Sequence, residues 1–238
     1  MNTLKSLKAG IHFAVFCAGL LLVSCSGSVT PHKTKEVPQE IGELPVVYSG
    51  SIIFSEEASA HSEVELFADS TFLLLRRINN DTTWNGVFGN WFINSSGKLV
   101  LDAGRDAQLI LGVMESSMVI LNSEGERVER SEQFVLRKLT GSTLSNRSFT
   151  AHGEYFYMAD AAIMKFCGTG DKVWPVAASG DNLSAERLFL QEKSLNPDEK
   201  VFVEAIISIV VMDNMEGNIR PHVLIHSLLG RSWMLDCM

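Results

Sequence analysis

A train of short β-prone runs most constrains what this chain can fold into. Eight segments rich in β-branched, aromatic and leucine residues (46–54, 63–67, 71–78, 86–94, 98–102, 107–113, 117–122 and 132–138) follow one another at intervals of about ten residues. Their connections include Ala68-Asp69-Ser70, Asn79-Asn80-Asp81, Asn94-Ser95-Ser96-Gly97 and Asn122-Ser123-Glu124-Gly125. Each contains an Asn, Asp, Ser or Gly that accepts tight-turn geometry. Apolar and polar residues alternate in Glu63-Val64-Glu65-Leu66-Phe67 and in Phe88-Gly89-Asn90-Trp91-Phe92, the period of a strand with one buried face. Eight such strands can close into a small up-and-down barrel, lipocalin-like in outline.

After a polar break at 140–147 (TGSTLSNR) the texture changes. Gly153 to Cys167 mixes aromatics with the small-residue stretch Met158-Ala159-Asp160-Ala161-Ala162. Residues 183–192 (LSAERLFLQE) read as an amphipathic helix, with Leu183, Leu188 and Leu190 on the apolar side and Glu186, Arg187 and Glu192 on the polar side. Strand-like runs follow at 201–212 and 220–229. Strands, one helix and further strands fit an OB-type Greek-key barrel. The expected fold is therefore mainly β, with two small antiparallel barrels in tandem, one over 46–139 and one over 148–238, joined by a linker at 140–147.

The amino terminus carries an address. Lys5 and Lys8 precede an apolar run from Ile11 to Val23, and no acidic residue occurs before Glu36. The run is shorter than the roughly 20 apolar residues a membrane span needs. A charged start, a short apolar core and a small-residue end are the layout of an export signal over 1–24. Leu22-Val23-Ser24-Cys25 places a cysteine directly after the cleavage point, so Cys25 is expected to become the lipidated first residue. Two or three acyl chains, at about 0.8 kcal/mol per buried methylene, hold a protein on a membrane where one does not. Ser26 is not the aspartate that retains enteric lipoproteins at the inner membrane, which favours the outer membrane. Residues 25–45 hold Pro31, Pro38 and Pro45 among polar side chains and are expected to form a tether.

Loss of Lys5 and Lys8 with no acid takes the net charge from −8 to −10, an unfavourable balance for binding nucleic acid. With Cys17 removed and Cys25 acylated, Cys167 and Cys237 remain, and in an oxidising compartment they are expected to pair. That bridge closes a loop of about 70 residues, worth on the order of 4 kcal/mol in the chain-entropy model.

Ordered motifs then give a resemblance. Tyr48-Ser49-Gly50, Leu66-Phe67-Ala68-Asp69-Ser70-Thr71-Phe72, Gly89-Asn90-Trp91, Leu99-Val100-Leu101 and Ile120-Leu121-Asn122-Ser123-Glu124-Gly125 resemble the N-terminal domain of the NlpE family of envelope lipoproteins, also called copper homeostasis or copper resistance lipoproteins. Gly153 to Ala162, Phe166-Cys167-Gly168-Thr169-Gly170, Trp174-Pro175-Val176-Ala177, Glu186-Arg187 and Met215-Glu216-Gly217 resemble its C-terminal OB-like domain. The resemblance implies an envelope protein that takes part in stress signalling or copper tolerance through contacts with an envelope sensor. Family members linked to copper carry a C-x-x-C pair whose positions fall here at Phe54 and Glu57, and neither supplies a thiolate. The family's thiolate pair is therefore not carried over to the first barrel.

Other candidates favour plain readings. His222 and His226 share a strand face but lie roughly 13 Å apart, too far to hold one ion without a bend. Met114 with Met118, and Met212 with Met215, have soft sulfur donors but sit in apolar runs where methionine usually fills a core. Gly168-Thr169-Gly170 lacks the lysine of a phosphate loop and reads as a turn. Asp160 is expected to cap a turn, and Glu56, Glu57, Glu63 and Glu65 to form a solvated acidic edge. No G-x-S-x-G elbow occurs, and neither an enzyme nor a cofactor is expected. A different class of function, carriage of a small hydrophobic ligand inside the first barrel, remains open at this point.

Overall fold

A computed structural model describes residues 41–53, 59–79, 81–104, 108–129, 131–213 and 219–232. The calls on Cys25, Phe54, Glu56, Glu57, Met215, Cys237 and the signal segment lie outside these residues. The first eight strands are β1 (Val46–Ile53), β2 (Ser59–Leu66), β3 (Thr71–Ile78), β4 (Asn85–Ile93), β5 (Leu99–Asp102), β6 (Gln108–Met114), β7 (Ser117–Ile120) and β8 (Val135–Leu139). Each pairs antiparallel with the next, and β8 returns to β1 through Val47↔Leu139 and Ser49↔Arg137. The sheet is thus an up-and-down barrel without a free edge.

Two hairpins use one device. Asn94 and Asn122 each accept two backbone N–H bonds on Oδ1 and are followed, three residues on, by Gly97 and Gly125 at φ +73° and +80°. The asparagine replaces missing ladder bonds, and glycine takes the left-handed corner without a Cβ clash. The β2 strand starts four residues earlier than expected, at Ser59, because Ser59 to Ser62 complete the ladder to both neighbours despite their polarity. Residues 131–134 form a 3-10 turn rather than the start of β8.

From the level of Tyr48, Val64 and Leu74 to one end the barrel interior is filled. Tyr48, Val64, Leu66, Phe72, Leu74, Trp91, Leu99, Leu101, Leu111, Met118 and Leu136 form one buried cluster, and Ile41 joins it from before β1. Lys138 Nζ donates to the Ile41 carbonyl at 2.9 Å. Residues from Ile41 onward are therefore docked on the barrel, which shortens the tether expected over 25–45.

The second barrel comprises β9 (Phe149–Met158), β10 (Ala161–Phe166), β11 (Trp174–Pro175), the helix α1 (Asn182–Leu195), β12 (Phe202–Asp213) and β13 (Ile219–Arg231). Strand β9 pairs with β10 and β12, β10 with β11, and β12 with β13. A parallel bridge between Val176 and Val223 completes the circuit from the end of β11 to β13. Five strands in this order, with the helix between the third and fourth, are the OB topology. Register shifts at Glu204/Ala205 and Ile206/Ile207 bend β12 so that it can serve both its neighbours.

Helix α1 buries a different stripe from the expected one. Asn182, Ala185 and Phe189 face the barrel, Leu188 is half-buried, and Leu183 and Leu190 are exposed. Phe189 wins because its ring packs edge-on to both Tyr155 and Phe156. Buried Asn182 accepts the Tyr155 hydroxyl at 2.8 Å and donates to Glu186 at 2.6 Å. Burial, followed by the Glu186 charge, pushes the Tyr155 phenol well above its ordinary range.

Candidate functional site: the seam between the barrels

Strand β3 is apolar at four consecutive positions, Phe72 to Leu75. An alternating strand with one wet face would not be, and the structure shows both faces covered. Phe72 and Leu74 point into the first barrel, whereas Leu73 and Leu75, with Val47 and Phe88 from neighbouring strands, belong to the core cluster of the second. Phe88 stacks on Phe166 at 4.1 Å between ring centroids, with Trp174 at 5.4 Å and Phe149 at 6.0 Å. Tilted and offset aromatic contacts of this kind add about 0.5–1.5 kcal/mol each beyond the area they bury.

Polar groups rim this contact. Glu65 is 1% exposed and accepts the Leu144 N–H and the Thr143 hydroxyl, both at 3.0 Å. Glu63 pairs with Arg147. The expected solvated edge is therefore, for these two glutamates, a buried anchor for the segment joining the barrels. Asp69 accepts from Thr71 N at 3.1 Å and Thr71 Oγ1 at 2.6 Å, and it pairs with Lys172 of the second barrel. Trp91 Nε1 donates to Phe67 O at 3.0 Å and secures the same β2–β3 turn. Asn90 Nδ2 donates to Gly168 O at 2.9 Å. A Cβ on Gly168 would lie 2.4 Å from the Ala103 oxygen, so the Gly-Thr-Gly turn is where the second barrel meets the first.

Between these groups lies a cleft of about 370 Å³, floored by Phe67, Phe88, Trp174, Ile209, Val211 and Pro221. Glu65, Asp69 and Lys172 stand on its wall, each committed to a partner in the chain, and Lys172 Nζ also sits 4.8 Å above the Trp174 ring. A larger hollow of about 610 Å³ opens near Asp102, Gln108, Asn122 and Ser123 at one end of the first barrel. Its described lining mixes these polar groups with Leu109, Ile110 and Leu121.

The two seam carboxyls respond to pH in opposite senses. Burial raises the Glu65 carboxyl above its ordinary value of 4.5, and the Leu144 and Thr143 donors only partly oppose this. A raised acid favours folding most below 4.5 and loses that contribution as pH climbs through its native value. Burial also works to raise Asp69, but the Lys172 and Thr71 donors outweigh it and leave the carboxyl below 3.8. Its contribution is present above 3.8 and lost as pH falls through the native value. Denaturation across pH 3 to 8 should therefore show Glu65→Gln gaining on the native chain as pH rises above about 4.5, and Asp69→Asn holding a constant deficit above about 4 that shrinks as pH falls below it. Parallel curves for Glu65→Gln and the native chain would refute the first assignment.

The other sequence candidates fall apart from this seam. His222 Nδ1 faces Arg220 O at 3.0 Å and His226 Nε2 faces Ser208 Oγ at 2.9 Å. Met118 is buried in the first core, Met114 Sδ lies 3.8 Å from Arg127 Nη2, and Met212 is exposed. Among the described residues, no three His, Cys, Asp or Glu side chains converge on a metal position. Asp160 sits in the two-residue β9–β10 turn at φ +63° and accepts the Tyr157 hydroxyl at 3.1 Å. Cys167 follows directly on β10.

One arrangement had no signal in the sequence. Ser232 Oγ lies 3.0 Å from His152 Nδ1, with Glu204 3.9 Å from Nε2. Glu204 at 3.9 Å lies beyond hydrogen-bond reach of Nε2 and does not complete a relay. These residues tie β13 to β9 and β12.

Fold and seam together define a class: a closed lipocalin-like barrel fused through an aromatic seam to an OB barrel. Residues 145–233 match the NlpE C-terminal OB domain family. Lipoprotein NlpE of Escherichia coli (strain K12) is 26% identical over 154 residues, which cover 63% of this chain and 63% of that protein. The chain thus spans a little under two thirds of the relative it matches. The crystal structure of the Cpx pathway activator NlpE from Escherichia coli aligns with 82% of this chain and 98% of that one, at 21% identity and a TM-score of 0.34. The second barrel is thus similar to the NlpE C-terminal OB domain.

Proposed function

We propose that the chain is a non-enzymatic envelope lipoprotein, exported by residues 1–24, lipidated at Cys25 and acting through protein contacts in envelope stress signalling. The NlpE C-terminal OB match over 145–233, behind a signal ending in Leu-Val-Ser-Cys, carries this reading. The Escherichia coli relative is described as a Cpx pathway activator, and activation of a sensor of that kind is the role inferred here. The polar, proline-containing stretch after Cys25 is the proposed link between the anchor and the barrels. Ser26, in place of an inner-membrane retention aspartate, supports outer-membrane residence. Cys237 is proposed as the partner of Cys167, stapling the chain end to the second barrel. With neither cysteine of the C-x-x-C pair at 54 and 57, copper homeostasis is the weaker of the two family roles.

Cys25→Ala should move the protein from the membrane pellet to the soluble or uncleaved fraction. An unchanged membrane pool of processed protein would defeat the lipidation assignment. Raised expression of the native chain should switch on a Cpx-responsive reporter, and a silent reporter at full membrane loading would defeat the signalling role.

A further inference from the structure

Among the described residues, three polar groups inside the first barrel lack partners. Tyr48 and Ser62 are fully buried, yet the Tyr48 hydroxyl and Ser62 Oγ make no hydrogen bond, nor does the buried Nε of Arg76. Buried polar atoms are nearly always satisfied, and each exception calls for an explanation. These three fall together. The register pairs Gly50 with Ser62 and Ser62 with Arg76, and Tyr48 stands one inward position further along β1. All share the inward face with Val64, Leu66 and Leu74 of the barrel core.

Arg76 is the most demanding of the three. Among the described residues, ion pairs are formed by Arg147, Lys165, Lys172, Lys200 and Arg231, and none by Arg76. Burial alone pulls its guanidinium below the usual range. An unpaired, partly desolvated cation costs stability until an anion reaches it.

We infer that the lumen of the first barrel holds an anion site, with Arg76 as the cation and the Tyr48 and Ser62 hydroxyls as donors, and that its ligand is a small carboxylate bearing a short apolar tail. One positive charge with three donors matches a monoanion and leaves a phosphate dianion half-neutralised. Apolar side chains that such a tail would cover flank Arg76. Ile78 and Val87 occupy inward positions of β3 and β4 on either side of the Arg76 level, and they are 57% and 39% exposed. The packed side chains at the level of Phe72 and Trp91 close the far end, which limits the tail's length.

The test uses the soluble mature chain, residues 26–238, titrated by calorimetry with octanoate, acetate, octanol and inorganic phosphate. Octanoate should bind once per chain, with acetate and octanol each at least tenfold weaker, because each lacks one half of the recognition. Arg76→Gln should weaken octanoate at least tenfold, and Ser62→Ala, which adds no volume, several-fold. Without ligand, Arg76→Gln should melt no lower than the native chain, since it removes a cation that has no partner. Absence of saturable octanoate binding, tighter binding of phosphate, or unchanged binding by Arg76→Gln would overturn the inference. So would a Glu56→Gln/Glu57→Gln chain that melts lower while Arg76→Gln removes the effect, because the cation's partner would then be internal.

Discussion

Phe88→Ala is expected to destabilise both barrels together, by about 3–5 kcal/mol, the usual cost of emptying a large buried aromatic site. Phe88 is a residue of the first barrel by chain position and of the second by packing. Its ring touches Phe149, Phe166 and Trp174, and its strand neighbour Leu73 lies in the same cluster. Its loss should therefore be felt in β12 and β13 as well as in β3 and β4. Denaturant unfolding with regional hydrogen exchange provides the measurement. Native protein should lose protection in both barrels at one midpoint, and Phe88→Ala should lower that midpoint or split it in two. Loss of protection confined to the first barrel would mean that the seam does not couple them. The polar rim should matter less, because Asp69 and Lys172 are both partly exposed and ion pairs in such positions are worth about 0–1 kcal/mol.

The strands of the first barrel were legible because their turns are chemically explicit. Asn94 to Gly97 and Asn122 to Gly125 declare hairpins without tertiary help, and alternation between them sets the inward face. The seam was encoded too, though in a form that local rules misread. Consecutive Phe72-Leu73-Leu74-Leu75 states that β3 is buried on both sides, and Glu63 and Glu65 look solvated until Arg147 and Leu144 are placed against them. A carboxylate that accepts a backbone N–H 79 positions away leaves no mark on a window of ten residues. The helix failed for a related reason. Leucine count favoured Leu183 and Leu190, but the ring of Phe189 fits between Tyr155 and Phe156, and tertiary shape decided the stripe. Arg76 was invisible because its parity, not its type, places it in the lumen.

Gly89→Ala should be the most damaging small substitution in the first barrel, costing about 3 kcal/mol or more through overpacking. Gly89 lies opposite Phe72 on β3, one residue before the point where β4 leaves β3 and pairs with β5. A Cβ there would stand 2.2 Å from Asp102 O and 2.5 Å from the Phe72 ring. The ring can turn aside, but the carbonyl belongs to the β5 backbone and can yield only if the β4–β5 ladder opens. That ladder closes the barrel, so hydrogen exchange should rise first at Trp91, Ile93 and Leu101. A double-mutant cycle with Phe72→Leu separates the two obstacles. Partial rescue is expected, since trimming the ring leaves the carbonyl where it is. Full rescue would show that the ring alone forbids a side chain at Gly89. No loss in Gly89→Ala would mean that the β4–β5 contact is looser than the register implies. The glycine of the Gly-x-Trp motif is thus explained without reference to a ligand: it lets the β5 backbone approach, and Trp91 two residues on fixes the turn that carries Asp69 to the seam.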